Sequence, residues 1–298
     1  MLGLGRERIE HKTPEQVRLM RRAGLVVADT LHAVRDAARP GMTTADLDSV
    51  ASDAIRGAGA TPSFLGYEGF PATICVSVGD EVIHGIPGGR VLGVGDLVSV
   101  DCGAIVDGWH GDSAISFVLG ADGAVAVDAP DDAVEAVGGS VAHAQLVRAT
   151  EAAMWAGIAA LAGGRRLNDV GRAVEASVEL AGELIGVEYG IVEEYVGHGI
   201  GSAMHQPPDV VNFRVREAGP RLRPGMCLAI EPMVTLGTGD THVLDDEWTV
   251  VTADGSRAAH WEHTVAILED GIWVLTAPDG GAERLGDLGV DVRPLGRS

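Results

Sequence analysis

Lysine is almost missing from this chain. Of the 22 basic residues among 298, only Lys12 is a lysine, and 43 acids bring the net charge to −21. Neutralising phosphates takes an excess of Lys and Arg, so a generally basic nucleic-acid binder is excluded, and an anionic membrane surface repels the chain. No Lys follows a glycine, which excludes a P-loop. Cysteine is scarce too. Cys75, Cys102 and Cys227 are an odd, widely spaced set without C-x-x-C, which excludes a disulfide framework and a structural zinc. They read as small buried hydrophobes in a reducing compartment. No run of about 18 apolar residues could span a bilayer. The opening charges Arg6, Glu7, Arg8 and Glu10 lead into no apolar stretch, so no signal peptide is expected. A cytoplasmic protein with no membrane and no specific nucleic-acid partner follows. The motifs H-E-x-x-H, G-x-S-x-G and G-x-G-x-x-G are absent as well.

What is present is patterned. Apolar residues make up 46% of the chain, enough for a sizeable core. Thr13 and Gln16 form a capping box with Pro14 at the first helical position. Val17, Met20, Gly24, Val27, Leu31 and Val34 then recur in steps of three and four, the face of a helix that Arg39-Pro40-Gly41 stops. A second helix is predicted from the Thr43-Thr44 cap to about Gly57, with Leu47, Val50, Ala51, Ala54 and Ile55 inward. Between 61 and 100, Pro and Gly punctuate strand-like runs such as Ile74–Val78 and Leu97–Val100. Residues 140–162 predict a helix with His143, Leu146, Val147 and Trp155 spread around its surface; 167–185 predict another, and 226–275 return to strands. The order α–β–α–β implies an α+β fold. The acidic 120–138 segment (Asp122, Asp128, Asp131, Asp132, Glu135) reads as a solvated loop, and the tail after Pro278 as loosely packed.

The chain also repeats itself. Gly41-x4-Asp46-Leu47 matches Gly164-x4-Asp169-Val170, and His84-Gly85-Ile86 matches His198-Gly199-Ile200. Gly95-x5-Asp101 matches Gly225-x5-Glu231, and Asp112 before Ile115 matches Glu262 before Val265. Four matches in one order predict two related halves that build one site at their junction.

Carboxylates mark that site. Asp107-Gly108 is a preferred two-residue hairpin turn, which pairs Val106 with Trp109, Ile105 with His110 and Gly103 with Asp112. Alternation then puts Asp101 and Asp112 on one face as diagonal neighbours, roughly 7–8 Å apart at the backbone. At that distance they are expected not to share a proton but to ligate two metal ions. Glu231, after Leu228-Ala229-Ile230, and Glu262, before Thr264–Leu268, are acids in apolar strand contexts, costly unless paired or metal-bound. His198 lies in Gly197-His198-Gly199-Ile200-Gly201. Four carboxylates balance two divalent ions, and without metal they would raise one another's pKa values.

With these residues stand Lys12-Thr13-Pro14-Glu15, Leu65-Gly66-Tyr67-x-Gly69-Phe70-Pro71, Glu81-Val82-Ile83-His84-Gly85-Ile86-Pro87, Asp107-Gly108-Trp109-His110-Gly111-Asp112, Ile230-Glu231-Pro232 and Trp261-Glu262-His263-Thr264. The set resembles the type I methionine aminopeptidases, of pita-bread fold, over about residues 9–276. The resemblance implies two pseudo-symmetric halves, about 9–140 and 141–276, with a curved antiparallel sheet covered by helices, after an N-terminal extension (1–8) and before a tail (277–298). It implies two divalent metal ions, with Co, Fe, Mn, Zn and Ni not distinguished. Asp112 and Glu262 would bridge them, Asp101 would complete one, and His198 and Glu231 the other. A monovalent cation is a further implication, although Gly79 stands where the family commonly has Asn.

The activity implied is co-translational hydrolysis of the first peptide bond after methionine when the second residue is small. Its partners would be nascent polypeptide N-termini, met in a transient ribosome encounter. Glu231 would shuttle the proton, His205 would stabilise the oxyanion, and His84 would contact the following amide. Phe64, Tyr67 and Phe70 hold three of the chain's twelve aromatics among Pro62, Gly66, Gly69 and Pro71, which predicts a pocket-lining loop and not a helical stripe. By resemblance Cys75, Met204 and Trp248 join them as the methionine pocket, Met204 standing where an aromatic is common. One rival is a prolidase or Xaa-Pro aminopeptidase, which shares fold and ligands but usually carries an extra N-terminal domain; only 100 residues precede Asp101 here. The other is a non-catalytic binding protein of the same fold, which typically loses metal ligands.

Overall fold

A computed structural model describes residues 9–296 of the chain, so the extension expected at 1–8 lies outside the described residues. Helix α1 (Pro14–Ala37) starts at the expected box: the Thr13 hydroxyl accepts the Gln16 N–H at 3.3 Å, and the Gln16 side chain accepts the Thr13 N–H at 2.8 Å. Helix α2 (Thr44–Gly57) repeats the device with Thr43 and Asp46. Helices α3 (Asp131–Ala136), α4 (Val141–Gly163), α5 (Asp169–Ile185) and α6 (Ala282–Asp287) follow.

The helices cover a ten-stranded sheet that curls into a half-barrel. Its main path runs Thr61–Pro62, Leu97–Val106, Trp109–Gly120, Glu262–Leu268, Cys227–Ile230, Gly197–Gly199 and Gln206–Val210, all antiparallel. The α+β, pita-bread expectation holds. The two halves meet where Trp109–Gly120 pairs with Glu262–Leu268, through Glu262 opposite Ala114 and His263 opposite Ser113.

The internal repeat is visible in detail. Asp46 accepts the N–H of Thr43, three residues back, and Asp169 accepts the N–H of Arg166, also three back. Isolated bridges Thr43–Val91 and Arg166–Arg221 follow these turns in their respective halves. The histidine match fails. His84 lies between Glu81–Ile83, which pairs with Val250–Thr252, and Gly85, whose carbonyl accepts the Val76 N–H at 2.9 Å, whereas the strand of His198 pairs directly with Cys227–Ile230. The shared His-Gly-Ile string therefore occupies different places in the two sheets.

Three readings change. The 120–138 segment is not only solvated: α3 buries Val134, and Asp131 pairs with Arg148 of α4 at 2.5 Å. The tail is anchored, because Leu285 of α6 is fully buried, Arg284 pairs with Glu151 of α4 at 2.8 Å, and the Arg293 N–H bonds to Ile272 O at 2.9 Å. Helix α4 is apolar on most sides because it lies between α5 and the sheet, and Leu146, Val147 and Trp155 are buried. Close approach also needs glycine where α1 crosses the central hairpin: a Cβ on Gly111 would stand 2.6 Å from the backbone N of Gly24.

Candidate active site

The hairpin turns at Asp107 (φ 51°) and Gly108 (φ 81°), both left-handed, as a two-residue turn of this hand requires. Its register is the one expected, with Val106 opposite Trp109, Ile105 opposite His110 and Gly103 opposite Asp112. Asp101 and Asp112 thus share a face. Glu262 begins the adjoining strand and Glu231 directly follows the end of the next one, so the sheet presents four acids in one place.

Hydroxyls hold this wall. Thr264 Oγ1 donates to Asp112 O at 2.8 Å and accepts its N–H at 3.2 Å. Ser113 Oγ donates to Glu262 O, and Ser116 Oγ donates to His260 O at 2.7 Å.

The acids lack internal compensation. Asp112 and Glu262 are buried, and Asp101 Oδ1, Asp112 Oδ1, Glu231 Oε1 and Glu262 Oε1 are inaccessible with no hydrogen-bond partner. Burial pushes Asp101 up to about 7. It also pushes the other three well above the carboxylate range, and repulsion adds to this: Glu262 and Asp101 act on Asp112, Asp101 and Asp112 on Glu231, and Glu231 and Asp101 on Glu262. Four such carboxyls with orphaned oxygens fit divalent cations. Donor atoms of Asp112, His198 and Glu262 already lie within 4.8 Å of one another. His198 Nδ1 faces Gly199 O at 3.0 Å, which leaves Nε2 toward the acids, 3.3 Å from Glu231 Oε1. Burial, then His205, lowers His198 to about 3, so its imidazole is neutral as a ligand must be.

The remaining candidates line the same cavity of about 200 Å³. Phe64, Phe70, Cys75 and Met204 form a buried apolar cluster with Tyr67 and Trp248 against it. A short 3-10 turn, Tyr67–Gly69, with Glu68 at φ 47°, makes the loop that the glycines predicted. Gly103 makes room beneath it, since a Cβ there would stand 2.8 Å from Phe64. His205 Nδ1 is bonded to the Tyr67 hydroxyl at 2.9 Å, and its ring packs edge-on to His198 at 4.3 Å. His84, at φ 59°, packs edge-on to Trp248 and Tyr195.

His260 was not foreseen. It is buried, lines the cavity, and puts an unpartnered Nε2 3.8 Å from Glu231 Oε2. The available signal was its place two residues before Glu262. Its short strand, Ala258–His260, belongs to a side sheet that only the tertiary fold brings over the acids. At Gly79, Arg90 and Arg257 stand 3.5 and 3.6 Å from where a side chain would begin.

The profile of metallopeptidase family M24 matches residues 18–269. The chain belongs to this family. Within M24 it is 50% identical over 273 residues to methionine aminopeptidase 1 of Mycobacterium tuberculosis, covering 91% of this chain and 96% of that one. The solved methionine aminopeptidase of Thermotoga maritima is 37% identical with a TM-score of 0.80, and the match covers 90% of this chain and 99% of that one. Prolidase from Pyrococcus furiosus shares the M24 fold (TM-score 0.64, 17% identity), but the match covers only 65% of its length. The type I methionine aminopeptidase resemblance thus holds. Among the described residues no helix is long and apolar enough to cross a membrane.

Proposed function

We propose that this M24 chain removes the N-terminal methionine of nascent polypeptides in the cytoplasm, when the second residue is small, at a site for two divalent ions. The observation that carries the reading is the cluster of orphaned, buried carboxylates on the floor of an apolar, sulfur-containing pocket. Asp112 and Glu262, one from each half, would be shared by both ions. Asp101 would complete one, and His198 with Glu231 the other. Bound divalent ions supply Lewis acidity, polarising a carbonyl and lowering the pKa of water.

The chain's own residues do the rest. Phe64, Phe70, Cys75, Met204, Tyr67 and Trp248 enclose a methionine side chain, with Cys75 offering its sulfur a soft contact. Glu231 takes the proton of the attacking water and returns it to the leaving amine. Tyr67 holds His205 by Nδ1, so Nε2 is free to donate to the oxygen on which charge develops. His84 contacts the amide that follows. The ribosome encounter is transient, because a charge of −21 opposes lasting attachment to ribosomal RNA.

The test is a peptide series Met-X-Ser, with X from Gly to Leu, on protein loaded with Co, Mn or Fe. Efficient cleavage is expected only for small X. Cleavage of Xaa-Pro but not Met-Ala-Ser peptides would replace this reading with a prolidase. Absence of peptidase activity with any of these metals would favour a binding protein.

A further inference from the structure

This chain meets its need for cations with arginine everywhere except at Lys12. The exception is buried, its side chain 2% exposed. An ammonium has three N–H donors, and Lys12 Nζ faces three acceptors: Glu10 O at 3.3 Å, Glu10 Oε2 at 3.2 Å and Gln206 Oε1 at 3.2 Å. Its stem runs against the backbone of Gly201, where any Cβ would collide with Lys12 Cε and the Glu10 carboxylate. A planar guanidinium, bulkier and with five donors, fits neither the space nor the acceptor count.

The other side of this pair grips a loop. Ser202 donates to Glu10 through its hydroxyl at 2.7 Å and its N–H at 3.2 Å, and Gln206 Nε2 donates to Ser202 Oγ at 3.1 Å. Between Ser202 and Gln206 lie Met204 of the pocket and His205. We propose that buried Lys12 and half-buried Glu10 are positioning residues, a clamp that holds the 201–206 loop so that His205 and Met204 meet the substrate. Burial would raise the Glu10 carboxyl, but Ser202, Gln206 and Lys12 outweigh it and hold it at about 2, so the clamp stays charged. The catalytic consequence rests on the aminopeptidase reading; the ordering of the loop does not.

The experiment compares metal-loaded full-length wild type with Lys12→Arg and Ser202→Ala, each alone and with His205→Ala. Amide exchange across 201–206 is expected to quicken by about tenfold or more as local opening becomes easier. The kcat on Met-Ala-Ser is expected to fall by up to about 10²-fold, the effect of misplacing a reacting group by an ångström, with bound metal unchanged. On the His205→Ala background each change should lower kcat by much less than it does in wild type, the remainder being the share that acts through Met204. Unchanged exchange, or losses that simply add to that of His205→Ala, would overturn the clamp. If Lys12→Arg does not fold, Ser202→Ala carries the same readouts. An inactive wild type would sink the aminopeptidase reading and leave the exchange test standing.

Discussion

In the first half of the molecule the two acids ride on one hairpin, Asp101 and Asp112 across the Asp107-Gly108 turn. In the second half Glu231 and Glu262 are just as close to the junction, but a long excursion separates them in sequence. That excursion adds strands Thr241–Val243 and Val250–Thr252, which pair with each other, the second also pairing with Glu81–Ile83 just before His84, and it carries Trp248 into the pocket. The halves are thus alike where they carry acid pairs and helix pairs. They differ around the pocket: the first supplies the aromatic loop, the second the His198–His205 loop. A duplicated scaffold fixes the charge, and unequal insertions shape what sits beside it.

If the acids are equivalent across the junction, Asp112→Asn and Glu262→Gln should be equally damaging. Each is expected to weaken metal binding by more than the ~10–100-fold that loss of a supporting partner costs, read by metal titration, with activity falling in parallel. Loss in only one variant would break the equivalence.

The next effect is on stability. Asp101 is raised from 3.8 to about 7 by burial. Without metal, the unfolded chain therefore ionises first. The contribution of this group is full below its unfolded value and is lost as pH rises toward its folded one. Melting temperatures of metal-free and metal-loaded protein should diverge as pH climbs from about 4 to about 7, because divalent ions bind the ionised form. A constant gap would show that Asp101 ionises in the fold as readily as in the unfolded chain.

A smaller effect sharpens the helix comparison. On the first half a Cβ at Gly111 would meet the backbone of Gly24 in α1 at 2.6 Å, and on the second a Cβ at Gly157 would meet the side chain of Val174 at 2.8 Å. Gly111→Ala is expected to cost about 1–3 kcal/mol in denaturant melts, and Gly157→Ala less, since a side chain yields more easily than a helix backbone. Smallest of all is Asp107→Asn. The Arg22–Asp107 pair is largely exposed, and Asn tolerates the left-handed turn, so a change within about 0.5 kcal/mol is expected in the same melts.

Local chemistry was the legible part of the site. The Asp-Gly turn set the register of Asp101 and Asp112 pair by pair, and the caps at Thr13 and Thr43 set the starts of α1 and α2. What depends on topology was not legible. His260 enters the cavity from a side sheet, and nothing local to its sequence ties it to the acids. The His84 and His198 strings match as text but not in space, because three residues cannot specify which strand they will pair with. Leu285 and Val134 anchored segments read as loose, since one well-placed apolar residue is too little pattern to read.

The central claim is that carboxylates from two related lobes gather around a pair of cations. Anomalous diffraction from crystals of the manganese-loaded protein tests it most directly. Two peaks are expected, both touched by Asp112 and Glu262, one also by Asp101 and the other by His198 and Glu231. Peaks elsewhere, or none among these side chains at saturating manganese, would contradict the account.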